Sequence, residues 1–177
     1  MVCCKSNKLE IGFFKLHENA VVPQFGTQQA ACFDLRAHLI TTSGMPREIK
    51  FVDSSREYTC IAAGPSIIIP PNSRALVPTG LVAKIPEGFS MRIHVRSGIA
   101  LKRGLCLANG EGIVDSDYYN ELFMLVLNTT NADVTIEHGE KICQGELVPV
   151  LRYALVEIHI EPTQTSDRVG GFGSTGV

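Results

Sequence analysis

Ser90-Met91-Arg92-Ile93-His94-Val95 alternates polar and apolar side chains, the period-two spacing of a strand with one face buried and one face wet. Asp133-Val134-Thr135-Ile136-Glu137 repeats the pattern further along. Between them Leu122 to Leu127 is apolar throughout. A strand there needs cover on both faces, which in a small β domain means a second sheet on one side and a neighbouring subunit on the other. Pro70-Pro71-Asn72, Pro78-Thr79-Gly80, Pro86-Glu87-Gly88, Asn109-Gly110 and Asn131 punctuate the chain into short segments. Many short strands at this spacing predict an all-β sandwich, jelly roll or barrel. One short helix is expected, with Ser97 as N-cap, Ile99-Ala100-Leu101-Lys102-Arg103 as body and Gly104 as its stop.

At 177 residues and 45% hydrophobic, the chain is long enough to bury one sizeable core. A net charge of −2 gives no electrostatic case for nucleic acid. Met1-Val2-Cys3-Cys4-Lys5-Ser6 lacks the apolar run of a signal peptide, and no stretch is long enough to cross a bilayer. A soluble, intracellular, cytoplasmic protein is therefore expected. Cys3, Cys4, Cys32, Cys60, Cys106 and Cys143 show no C-x-x-C spacing, so idle or buried thiols are the default. Thr42 to Pro65 is the least regular part and reads as a surface excursion, with Ile49, Phe51 and Val52 allowing a hairpin within it. No repeat or linker divides the chain. The expected organisation is a single β domain over residues 1–166 and a flexible glycine-rich tail over residues 167–177.

Three clusters carry chemistry. The tail, Arg168-Val169-Gly170-Gly171-Phe172-Gly173-Ser174-Thr175-Gly176-Val177, combines glycines with one ring, two hydroxyls and a cation. Its backbone N–H groups can converge on an anion while Phe172 faces a planar ring, as a lid would; a frayed terminus is equally compatible. Arg96 followed by Ser97 at a helix start suits phosphate, although an ordinary capped turn is the plainer reading. The densest cluster is Ala108-Asn109-Gly110-Glu111-Gly112-Ile113-Val114-Asp115-Ser116-Asp117-Tyr118. Gly110 and Gly112 permit a sharp hairpin close to a ligand, and on an extended strand Asp115 and Asp117 share a face opposite Tyr118. A carboxylate here can activate water and a tyrosine can stack on a sugar or base; a solvated acidic turn is the bland reading.

Taken in order, Asp34-Leu35, Arg96-Ser97-Gly98, Gly112-Ile113-Val114-Asp115-Ser116-Asp117-Tyr118, Gly139-Glu140-Lys141-Ile142-Cys143-Gln144 and Gly170-Gly171-Phe172-Gly173-Ser174-Thr175-Gly176 closely resemble the five motifs of the trimeric dUTPases. The resemblance runs from about Phe14 to Val177. It implies a homotrimer of distorted jelly-roll, barrel-like subunits that hydrolyses dUTP to dUMP and pyrophosphate with Mg²⁺, with active sites between subunits. By the same resemblance Asp115 is the general base for the attacking water, and Tyr118 packs under the deoxyribose and rejects UTP. The segment around Asn109, with Gly112 and Ile113, reads uracil. Arg96, Ser97 and Gly98 hold the phosphates, Gln144 contacts the α-phosphate region, and Phe172 stacks on the base. Gly173, Ser174 and Thr175 embrace the terminal phosphate with Arg168. Asp34 supports the metal through water, and no protein ligand binds the metal directly.

The chain departs from the family pattern at Cys32, Val95, Tyr119 and Asn120, and Arg168 lies one residue closer to Phe172 than the family arginine does. Two other classes fit less of the sequence. A dCTP deaminase-type enzyme on the same fold leaves the glycine-rich tail and the Asp115/Tyr118 pair without a role. A nucleotide-binding module that docks another protein would use the Thr42–Pro65 excursion.

Overall fold

A computed structural model describes residues 9–53, 55 and 58–167. Twelve strands and one helix follow in order: β1 (Gly12–Lys15), β2 (Phe33–Arg36), β3 (Glu48–Val52), β4 (Tyr58–Ala62), β5 (Ser66–Ile69), β6 (Arg74–Lys84), β7 (Phe89–Val95), α1 (Ser97–Arg103), β8 (Leu105–Leu107), β9 (Gly112–Val114), β10 (Glu121–Asn128), β11 (Val134–Glu137) and β12 (Lys141–Pro149). They form a six-stranded sheet in the order β4-β3-β6-β10-β8 with β1 also on β6, a four-stranded sheet β2-β12-β7-β9, and a ribbon β5-β11. Inward residues of all three merge into one core, including Leu35, Met91 and Ile142 from the four-stranded sheet and Val77, Met124 and Val126 from the six-stranded one. This is the all-β, jelly-roll or barrel-like architecture that the strand spacing predicts. Among the described residues no helix is long and apolar enough to cross a membrane.

The alternation holds in β11 and in the middle of β7, but Ser90 on the polar face of β7 is buried and Val95 on its apolar face is half-buried. In β7 Met91 and Ile93 are buried, and β11 alternates buried and exposed along its length. The apolar run in β10 buries Leu122, Met124 and Val126 and leaves Phe123, Leu125 and Leu127 half-buried, so its second face has cover to gain.

Several local expectations are corrected. Pro78-Thr79-Gly80 does not end a strand; it is a bulge inside β6, the longest strand, where Glu121 faces Val82 but Phe123 faces Pro78. A proline without N–H and a glycine at φ 72° fit such a break in the ladder better than an unbroken strand would. Part of the Thr42–Pro65 excursion forms the hairpin that its Ile49, Phe51 and Val52 allow: β3 and β4 pair antiparallel, and β3 joins the pair to β6. Arg96, not Ser97, caps α1: it has extended dihedrals and makes no side-chain cap bond. Gly104 does end the helix, in the left-handed conformation at φ 61°.

Candidate active site

The four-stranded sheet separates the predicted residues into two groups. At one end of β7, β9 lies alongside in the register Met91↔Val114 and Ile93↔Gly112. A Cβ at position 112 would stand 3.0 Å from the Ile93 Cβ, so glycine there permits the close approach of β9 to β7. The stretch from Ala108 to Glu111 is not a paired hairpin. β8 belongs to the six-stranded sheet and β9 to the four-stranded one, and the turn between them crosses from sheet to sheet with Gly110 at φ 74°.

After β9 the chain turns again, with the Tyr118 N–H donating to the Asp115 carbonyl at 3.2 Å. The extended geometry expected for Asp115 to Tyr118 is therefore absent. Its replacement by a turn brings Tyr118 back beside Asp115, and both line a cavity of about 330 Å³ together with Asn109, Gly112 and Ile113. The deeper wall is apolar, from Leu76, Leu107, Phe123 and Leu125. The Tyr118 hydroxyl donates to the Glu121 carbonyl at 2.9 Å, which fixes the ring. Asp115 is exposed. An apolar slot with a few polar groups at its mouth suits a planar base and a sugar.

The second group gathers where β7 runs into α1. Asp34, Arg96, Ser97, Gly98 and Gln144 line a cavity of about 590 Å³ together with Lys102 and Arg103. Asp34 and Gln144 are direct register partners on β2 and β12. The Asp34 carboxylate is held from two sides, by Arg96 Nε at 3.0 Å and by Lys141 Nζ at 2.7 Å. Arg96 also donates to the Lys141 carbonyl at 3.2 Å. Cations outnumber the single carboxylate on this lining, which suits a polyphosphate. Cys32 lines it too, its thiol pushed up by burial and by Glu146 and so kept protonated.

Sequence reasoning missed Lys102 and Arg103 in this cavity, Lys141 as the second partner of the Asp34 carboxylate, and the apolar wall of the other cavity. A bulge in β12 between Lys141 and Cys143 hides the lysine: Ile142 and Cys143 are both buried, so simple alternation misplaces the neighbours. Arg168, Phe172, Gly173, Ser174 and Thr175 lie outside the described residues. The two cavities share no lining residue. β9 ends at Val114 opposite Met91 with Asp115 next in the chain, and Arg96 follows the far end of β7 five positions from Met91, so at roughly 3.3 Å per residue the two groups stand on the order of 20 Å apart.

The dUTPase family pattern matches residues 61–176. The deoxyuridine 5′-triphosphate nucleotidohydrolase of Caulobacter vibrioides is 36% identical over 96% of this chain and 96% of its own length. That of Rhizobium etli is 38% identical over 90% of this chain and 88% of its own. Among solved structures, the Streptococcus mutans dUTPase aligns with a TM-score of 0.62 at 25% identity, covering 81% of this chain and 98% of that one. The Staphylococcus bacteriophage 80alpha dUTPase with dUPNHPP aligns at a TM-score of 0.71 and 20% identity over 95% and 99% of the two chains, a likeness of fold. With the motifs in order, a family match over residues 61–176 and 36% identity along most of its length, this chain belongs to the dUTPase family.

Proposed function

We propose that this protein hydrolyses dUTP to dUMP and pyrophosphate with Mg²⁺. The observation that carries the reading is the turn that sets Asp115 and Tyr118 side by side on the rim of an apolar, base-sized cavity. In this cavity the uracil lies against the Asn109–Ile113 segment, whose backbone donors and acceptors reject a wrong base by leaving it unpaired. Tyr118 packs under the deoxyribose and leaves no room for a 2′-hydroxyl. Asp115 takes a proton from the water that attacks the α-phosphorus, and pyrophosphate leaves.

Arg96, Ser97, Gly98 and Gln144 hold the phosphates in the cationic cavity. Its donor set fits Mg²⁺ carried mainly by substrate phosphates and water, because the Asp34 carboxylate is already engaged by Arg96 and Lys141 and is left to orient water. When bound, the ion offsets charge developing on the phosphates.

Because about 20 Å separates Asp115 from Arg96 within one chain, the reading places the two halves of each site on different copies of a homotrimer. The glycine-rich tail, with Arg168, Phe172, Gly173, Ser174 and Thr175, closes over the nucleotide. The relatives named above are nucleotidohydrolases, and no observation favours a deaminase or a docking module.

The test is pyrophosphate release from dUTP, dTTP, dCTP and UTP with Mg²⁺ by the intact protein, by a truncation before Arg168 and by Asp115→Asn. Strong preference for dUTP is expected, weakened by truncation. Turnover in Asp115→Asn should fall by about 10²–10⁴-fold while nucleotide binding survives. Near-normal turnover by that variant would remove Asp115 from the mechanism, and no release from any of the four would end the reading.

A further inference from the structure

Where the chain leaves the Asp115–Tyr118 turn and enters β10, it meets the bulge of β6. Two residue steps along β10, from Glu121 to Phe123, match four along β6, from Val82 to Pro78. The Glu121 side chain occupies this mismatch. Its Oε1 accepts the Gly80 N–H at 2.6 Å and Arg47 Nη1 at 2.8 Å, and its Oε2 accepts Arg47 Nη2 at 2.6 Å. The two side chains are only 14% and 10% exposed, so this is a forked ion pair largely removed from water.

Arg47 is itself fixed. Its N–H donates to the Leu39 carbonyl at 2.9 Å, and its Nη1 also donates to His38 Nδ1 at 3.2 Å. It stands immediately before β3, at the root of the hairpin within the Thr42–Pro65 excursion. The same Glu121 whose carboxylate holds Arg47 offers its backbone carbonyl to the Tyr118 hydroxyl. Phe123, two residues on, forms part of the cavity wall with Tyr118.

We propose that Arg47 is a positioning residue for sugar selection: by pinning Glu121 at the bulge it fixes the Tyr118 ring and so sets the discrimination between dUTP and UTP. The inference rests on the function proposed above. Rejecting a 2′-hydroxyl requires a wall that cannot retreat by the width of one oxygen. Glu121 provides that rigidity only while its charge is paired. Without Arg47 a largely buried carboxylate loses its partner and draws toward water, carrying the start of β10 and the carbonyl that holds Tyr118. Lysine keeps the charge but not the planar fork, so it restores the geometry only in part.

The experiment measures kcat/KM for dUTP and for UTP in the wild type, Arg47→Ala, Arg47→Lys, Glu121→Gln and Ile49→Ala. The last is a control, since Ile49 is buried two residues further on, in β3, and its loss lowers stability without touching the clamp. The expected result is a fall in the dUTP-to-UTP ratio of at least about tenfold in Arg47→Ala and Glu121→Gln, less in Arg47→Lys, and none in Ile49→Ala. A dUTP-selective wild type whose ratio survives in both clamp variants, or falls as far in the control, would overturn this inference alone. A wild type that releases no pyrophosphate from dUTP would overturn the function reading and this inference with it.

Discussion

His38 is 3% exposed and lies between two other histidines, with ring centroids 5.0 Å from His17 and 5.2 Å from His138. A guanidinium can only donate, so the contact with Arg47 leaves Nδ1 bare and places the proton on Nε2, which donates to Asn19 Oδ1 at 3.0 Å. Burial, then Arg47, His138 and His17, lower its pKa to about 4, with Glu121 opposing. In the unfolded chain the ordinary value is about 6.5. Between those values the unfolded chain binds a proton that the folded chain refuses, so stability declines as pH falls through the window and levels off below it. Urea unfolding at pH 7.5, 5.5 and 4.5 should show that decline, reduced in His38→Gln; an equal decline in the variant would assign it to other groups. None of this is legible in sequence, because residues 17, 38, 47, 121 and 138 meet only in the folded chain. Asp115, Tyr118, Arg96 and Gln144 were legible, because short motifs in fixed order carry them.

At the level of the element, β11 and the Met91–His94 part of β7 are readable from residue pattern alone, since neighbouring side chains in a strand must point to opposite faces. β6 is not readable, because Pro78 and Gly80 carry the signature of a turn and only pairing with β10 turns them into a bulge. The far end of β10 shows how such elements are tied together. Asn128, fully buried, donates to the Ile69 and Ala132 carbonyls at 2.8 and 2.7 Å and accepts the Thr130 N–H at 2.9 Å. It thereby joins the six-stranded sheet to the ribbon. Asn128→Ala leaves the Ile69 carbonyl in the interior without its amide partner and unties the part-buried Thr130–Ala132 turn, where the Ala132 carbonyl keeps Thr130 Oγ1 at 3.0 Å, and should cost about 1–3 kcal/mol, measured as a lower urea midpoint at unchanged slope. A loss below about 0.5 kcal/mol would mean that water replaces the amide. From sequence, Asn128 is simply the polar end of an apolar run.

For the molecule as a whole, the chain carries a long apolar stretch that its own domain does not cover. Beyond β12 the stretch from Leu151 to Ile160 exposes Leu151, Tyr153, Leu155, Val156, Ile158 and Ile160 at 62–88%. An apolar arm of that kind, detached from its own domain, fits the proposed trimer by lying on a neighbouring copy. Sedimentation of the intact protein should give the mass of three chains, and truncation after Val150 should shift it toward one. A trimer of undiminished stability after truncation would show that the half-buried face of β10 and other surfaces suffice without the arm.

What the sequence determined by itself was the strand-rich class, the helix after Arg96, the order of the motifs and the chemistry of their side chains. These rest on local sterics and residue type, which act within a few positions. What only the tertiary structure decided was the turn that returns Tyr118 to Asp115, the bulge filled by Glu121, and the distance that keeps Asp115 and Arg96 in separate cavities. Those depend on strand register and on bulges that shift it, and register is fixed by partners far along the chain.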